Sequence, residues 1–273
     1  MAADQLNKVM YVRIWSIANQ KGGVGKTTTV VSLGGLLASQ GKRVLLVDLD
    51  PHGSLTSYFG QDPDSLDRSL YHLFFEQRHK DKSFIQSVLK PTSLNNVALL
   101  PATTSLATLE RQVSGQEGMG LVLARSLAQL WEEYDHVLLD TPPILGVLLV
   151  NALAACQRLV IPTQTEHLAL KGLERMVHTL RMVMRSQNRS LPYTIVPTLF
   201  DRRTGASLTT LKEMRRNYQD ALWEEAIPVD TRLRDASHEG VFPHQLDAEG
   251  RGVRAYRHLL ASLEQAAAAE GGG

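Results

Sequence analysis

The chain has 273 residues, 43% hydrophobic and 21% charged, enough apolar material for one large domain or two small ones. A net charge of +1 excludes a uniformly basic nucleic-acid protein, and a single cysteine, Cys156, excludes an internal disulfide, which suits a reducing cytosol. No apolar run reaches the roughly 18 residues of a membrane span. The longest, residues 144–155, is broken by Gly146 and Asn151, and residues 1–10 lack the apolar core of a signal peptide. We expect a soluble, cytoplasmic chain with no membrane insertion.

Taken in order, residues 12–18 predict a strand, followed by a Gly-rich turn and an apolar helix from about Thr27 to Ser39 that Gly41 stops. Residues 43–49 (RVLLVDL) form the next apolar strand run. Between Asp64 and Arg111 the pattern is less regular; Leu70, Leu73, Phe74, Phe84, Val88 and Leu89 suggest short amphipathic helices. Further apolar runs at 97–100, 137–139, 159–162 and 193–199 alternate with helical stretches. Short buried strands alternating with helices predict stacked βαβ units. The expected fold is α/β: one doubly wound, mostly parallel sheet with helices on both faces. Residues 1–10 are expected to be a flexible N-terminus, 11–265 one domain, and 266–273, rich in alanine and glycine, a disordered tail.

Gly22-Gly23-Val24-Gly25-Lys26-Thr27-Thr28 lies between the first strand and its helix, the context a phosphate loop requires. Glycines let backbone amides curl round phosphates, and the helix N-terminus adds partial positive charge. Lys26 would reach the β- and γ-phosphates, and the Thr27 hydroxyl would bind Mg²⁺. Lys21 stands five positions before Lys26. It is surplus charge for one set of phosphates and makes sense if it serves phosphates held by a second subunit.

Asp48 and Asp50 end the second strand run, at the carboxyl edge where α/β sheets bind ligands. Acidic residues two apart on a strand point the same way, so both could face a metal–phosphate site. Either could instead be a turn residue before Pro51, a reading that competes chiefly for Asp50. Asp140 ends the run Tyr134-Asp135-His136-Val137-Leu138-Leu139-Asp140 and is followed by Thr141-Pro142-Pro143, a switch loop or a plain turn.

The stretch Lys21 to Thr28 resembles the deviant Walker A motif of the ParA/MinD ATPases, and the resemblance extends from about Met10 to Leu263. It implies a P-loop NTPase fold of the deviant Walker A type, ATP with Mg²⁺ as cofactors, slow partner-stimulated hydrolysis, and a homodimer formed with ATP. In that family the signature lysine, here Lys21, crosses to the partner's ATP, so Lys21, Lys26 and Asp50 are the expected catalytic residues. Asp48-Leu49-Asp50-Pro51-His52-Gly53-Ser54 resembles the ParA form, DPQGN, rather than the MinD form. The resemblance implies that Asp50 orients the attacking water, that Asp48 supports the Mg²⁺ shell, and that Asp140 is the Walker B aspartate. His52 replaces a usual glutamine and Ser54 a usual asparagine; His52 reads as a surface loop residue rather than a proton carrier.

In the second half, residues 198–204 and 227–236 resemble family segments near the adenine, making Phe200, Pro228 and Asp230 candidate contacts. A helix over 167–186 shows an apolar stripe of Leu173, Met176, Val177, Leu180, Val183 and Met184. A second face carries Lys171, Arg175, His178, Arg181, Arg185 and, if the helix persists, Arg189. Residues 171–216 hold ten Lys/Arg against three acids. This could be a solvated face; a charge stripe without base-reading aromatics also suits non-specific DNA. The resemblance favours DNA and adds Arg203 and Arg232. The implied role is a nucleoid-associated switch that positions a chromosomal or plasmid locus, or a large complex such as a chemotaxis array, with a ParB-like or adaptor partner. Alternatives are a MinD-like regulator at the membrane surface and a metabolic amidoligase or metal carrier; one cysteine disfavours the carrier. The closing stripe Val253, Tyr256, Leu259, Leu260 and Leu263 reads as core.

Overall fold

The computed structural model describes residues 12–75, 78–113, 116 and 118–270. Seven strands form one sheet: β1 (Arg13–Ile17), β2 (Val44–Asp48), β3 (Lys90–Pro91), β4 (Val97–Leu100), β5 (His136–Asp140), β6 (Arg158–Gln164) and β7 (Tyr193–Thr198). Their order is β3-β4-β2-β5-β1-β6-β7, all parallel except the short edge strand β3. Every residue of β2 and β5 is buried, as strands covered on both faces must be. Alternation then divides them between two cores. Leu45, Val47, Val137 and Leu139 point to one, while Val44, Leu46 and Leu138 point to the other.

The second core is closed by α1 (Lys26–Ser39) and the last helix, α11 (Arg251–Glu270). Helix α1 lies close on β2 because Gly34 lacks a side chain: a Cβ there would meet Leu46 Cδ2 at 2.7 Å. The first core is covered by α5 (Val122–Leu127), α6 (Val147–Ala155) and α7 (His167–Ser186). The expected apolar stripe of α7 is buried through Leu173, Met176, Val177, Leu180 and Met184, with Val183 partly covered.

The irregular region resolves into a 3₁₀ turn at Leu70–Phe74, α3 (Lys82–Val88) and α4 (Leu106–Val113), after the short α2 (Ser54–Tyr58). Leu70, Leu73, Phe74 and Val88 are buried as expected, whereas Ile85 takes the core position and Phe84 and Leu89 pack at its margin. The remaining helices are α8 (Gly205–Tyr218), α9 (Arg232–Glu239) and α10 (Pro243–Leu246).

Two boundaries differ from expectation. Helix α11 runs on to Glu270, so residues 266–270 are helical rather than a disordered tail. The alanines there favour helix, and Glu270 pairs at 2.6 Å with Nη2 of the buried Arg158, which also donates to Thr194. Helix α7 stops at Ser186, and Arg189 turns back to cap the carbonyls of Ala154 and Cys156 instead of extending the basic stripe. The expected N-terminus, residues 1–10, and the final residues 271–273 lie outside the described residues.

One buried group sets an acid limit on the fold. His136 is 3% exposed, lies edge-on to Trp15, and neither ring nitrogen has a partner among the described residues. Burial lowers its pKa from 6.5 to about 4. The unfolded chain therefore binds this proton first, and stability falls as pH drops from about 6.5 through 4, by on the order of 3 kcal/mol at the acid end. His136→Leu should gain stability over the wild type in urea unfolding, by a margin that grows from about pH 7 to about pH 5. A margin independent of pH would overturn this account.

Candidate phosphate-binding site

Three parallel strands deliver the site. In register, Ile17 of β1 lies beside Asp140 of β5, and Asp140 beside Asp48 of β2. The chain leaving β1 becomes a loop whose anchors point outward. Asn19 Nδ2 donates to the Pro162 carbonyl at 2.8 Å, Thr198 Oγ1 donates to the Val24 carbonyl at 2.8 Å, and Gly23 and Gly25 have φ of 73° and 91°. Among the described residues the backbone amides of 22–28 donate no hydrogen bond within the chain. Unpaired amides ahead of a 14-residue helix form a concentrated anion cradle. They open on a hollow of about 670 Å³ lined by Gly22, Gly23, Gly25, Lys26, Thr27 and Thr28, with Asp50, His52 and Asp230 across from them.

The two lysines are placed differently. Lys26 is 8% exposed; burial lowers its pKa, against the opposing pull of Asp140 and Asp50. Its Nζ donates to the Lys21 carbonyl at 3.4 Å. Lys21 does not line the hollow; its ammonium forms an ion pair with Glu166, the residue before α7.

The three carboxylates also divide. Asp140 Oδ2 accepts from the Thr27 hydroxyl at 2.6 Å, and its buried Oδ1 has no partner among the described residues. Burial, reinforced by Asp48, pushes its pKa up. Asp48 has no open oxygen edge: Oδ1 accepts from the Asp50 amide at 3.1 Å, and Oδ2 from the Thr56 amide and hydroxyl at 2.8 and 2.7 Å. Burial raises its pKa too, while the Thr56 bonds oppose the rise. Asp48 thus sits behind the site and pins the loop that carries Asp50. Asp50 Oδ1 accepts from the His52 amide at 3.0 Å and from its ring Nδ1 at 2.8 Å.

This geometry has relatives. Residues 12–193 match the AAA domain family. The chain is 36% identical over 248 residues to the sporulation initiation inhibitor protein Soj of Bacillus subtilis, covering 90% of this chain and 96% of Soj. It is 36% identical to the chromosome partitioning protein ParA of Myxococcus xanthus, covering 90% and 86%. The chain belongs to the ParA/Soj family of P-loop partitioning ATPases. Among solved structures it is similar to cobyrinic acid a,c-diamide synthase from Mycobacterium smegmatis with a bound ATP analogue and magnesium, at 34% identity and TM-score 0.79 over 93% of this chain and 95% of that one. A plasmid partition protein from Borrelia burgdorferi bound to AMPPNP gives 27% identity and TM-score 0.75 over 93% and 98%.

Within this ParA/Soj frame the adenine candidates separate. Phe200 and Pro228 face each other through a backbone bridge and line a neighbouring hollow of about 530 Å³. Asp230 lines the phosphate hollow, yet its carboxylate accepts from the amides of Arg232 and Gly252 at 3.0 and 2.8 Å and so ties the loop to α11. Sequence reasoning missed Leu199, Leu233, Arg234 and Ser237, which also line the hollow. Leu199 has φ of 51°, a strained bend no residue pattern signals; the other three lie on α9, which only tertiary packing brings over the loop.

The basic residues divide as well. Lys171, Arg175, Arg181 and Arg185 are exposed on α7, and their side chains have no ion pair or hydrogen bond among the described residues. Arg203 is engaged by Asp201 through two bonds of 2.9 and 2.7 Å, and Arg232 pairs with Asp235 at 3.7 Å.

Thr56 is the keystone of the carboxylate arrangement, since its hydroxyl also accepts the Ala102 amide at 2.9 Å. Thr56→Val keeps the shape but strips a partner from a buried carboxylate and a buried amide. The variant should lose about 2 kcal/mol of unfolding free energy, measured in urea. Wild-type stability would mean that Asp48 needs no hydroxyl.

Proposed function

We propose that this chain is an ATP-switched homodimer that binds DNA without sequence preference and uses the nucleoid as a track to position a cargo in the cytoplasm. A ParB-like or adaptor partner stimulates its slow hydrolysis. The cargo would be a chromosome or plasmid locus, or a large complex such as a chemotaxis array. The observation that carries the reading is the separation of the two lysines: Lys26 buried at the phosphate cradle, Lys21 outside it on Glu166.

In this reading the amides of 22–28 and Lys26 hold the ATP phosphates. The Thr27 hydroxyl and the unpartnered Oδ1 of Asp140 fit Mg²⁺, a hard cation that takes few protein oxygens and keeps several waters. When bound, Mg²⁺ neutralises charge developing on the γ-phosphate. Asp48 supports that shell from behind by fixing Asp50, and Asp50 orients the attacking water. Phosphoryl transfer asks for positioning and charge more than covalent chemistry, which suits a site of fixed groups. Lys21 leaves Glu166 to serve the partner's phosphates. Exposed Ile144 and Leu145, which follow Pro143 of the hollow in the chain, and exposed Leu168, two residues after Glu166, offer apolar surface for that second copy. Phe200 and Pro228 are the proposed adenine contacts, with Asp230 shaping their loop.

For DNA, Lys171, Arg175, Arg181 and Arg185 are the primary contacts; Arg203 and Arg232 contribute after exchanging their carboxylate partners for phosphates. The alternative of a MinD-like membrane regulator is disfavoured because Val253, Tyr256, Leu259, Leu260 and Leu263 are buried against the sheet. Among the described residues no helix is long and apolar enough to cross a membrane.

Lys26→Ala should abolish ATP binding in a folded protein, read by fluorescent-nucleotide titration, and Lys21→Ala should bind ATP yet stay monomeric on a sizing column. ATP affinity unchanged by Lys26→Ala, or an ATP dimer formed by Lys21→Ala, would defeat the corresponding assignment.

DNA binding should be weak without ATP, strong with it, and indifferent to sequence. Log affinity should fall with log salt at about −0.9 per phosphate contact. Replacing Arg181 and Arg185 by glutamate should remove binding and spare ATP-driven dimerisation. Normal affinity in that double mutant would make the stripe a solvated face.

A further inference from the structure

We propose that His52 is a positioning residue for hydrolysis, holding the Asp50 carboxylate by an Nδ1–H donor. The inference rests on the reading of Asp50 as the group that orients the attacking water.

Asp50 is fixed at two levels, backbone and side chain. Its backbone is set by the Asp48 clamp on its amide and by the turn in which the Gly53 amide donates to the Asp50 carbonyl at 2.8 Å. Its side chain is set separately. The His52 amide reaches Oδ1 at 3.0 Å, a two-residue turn contact that any residue at 52 would supply. The imidazole adds a second bond to the same oxygen at 2.8 Å. Two donors on Oδ1 fix the carboxylate plane. Oδ2 then has no hydrogen bond among the described residues and is left as the acceptor for a water in the hollow that both residues line.

The tautomer follows. A carboxylate only accepts, so Nδ1 must carry the proton. The imidazole is 81% exposed and does not help to fill the core, so its removal should not destabilise the fold. Glutamine also offers an N–H donor, so His52→Gln preserves the function, whereas alanine does not.

The test measures ATP hydrolysis, ATP affinity and ATP-driven dimerisation for four variants of the full chain. His52→Ala should lower kcat about fivefold with KM for ATP and dimerisation unchanged, as the loss of one partly solvated charge-assisted bond implies. His52→Gln should restore at least half of the wild-type kcat. Asp50→Ala should hydrolyse far more slowly, and adding His52→Ala to it should change nothing more. Wild-type kcat in His52→Ala, with Asp50→Ala inactive, overturns the His52 role alone. A further loss in the double variant does the same, because His52 would then act without Asp50. Wild-type hydrolysis by Asp50→Ala overturns instead the reading on which the inference rests.

Discussion

Two carboxylates buried side by side, Asp48 and Asp140, are the constraint round which this protein is arranged. They lie in register at the ends of neighbouring parallel strands, where a seven-stranded sheet leaves no water to solvate them. Desolvation pushes both towards the neutral form, with the Asp48 charge adding to the rise at Asp140 and the Asp50 charge to that at Asp48. The two answers differ. Asp48 is satisfied by protein donors, two from Thr56 and one from the Asp50 amide, whereas Asp140 has the Thr27 hydroxyl on Oδ2 and, among the described residues, no partner on Oδ1. One carboxylate is therefore closed off by the chain, and its neighbour keeps an unpartnered oxygen among the described residues. Lys26, buried where it lines the phosphate hollow, is a positive charge felt by Asp140, and its own pKa records burial set against the pull of Asp140 and Asp50.

That division was only half legible in the amino-acid sequence. The strand–loop–helix context of Gly22 to Thr28 and the acidic strand ends can be read from periodicity and glycine spacing, because parallel strands must alternate with helices and bind at their carboxyl ends. The different fates of Asp48 and Asp50 cannot, since they depend on Thr56, eight residues beyond Asp48, folding back as the first turns of a short helix. Asp230 shows the same limit: its place in a recognised segment said nothing of the Gly252 amide that takes up its carboxylate. The end of α7 was legible as a length but not as a boundary. Arg189 continues the charge spacing, yet the carbonyls of Ala154 and Cys156 capture it once the chain turns at Asn188, whose φ is 46°.

The loop after β1 is held as much by α7 as by its own strand. Gln20 Nε2 donates to Thr179 Oγ1 at 2.6 Å, and Glu166 takes Lys21. At Gly172 a Cβ would come within 3.0 Å of the Lys21 Cβ and 3.2 Å of Asn19 Oδ1. These attachments occupy the buried side of the helix. Its outer side carries Lys171, Arg175, Arg181 and Arg185, so one rigid 20-residue element borders both the lysine pair and the basic stripe. Rigid helices transmit displacement rather than absorb it, because packed cores shift between discrete arrangements. Lys21 cannot leave Glu166 without removing one of the contacts that seat the N-terminal turn of α7.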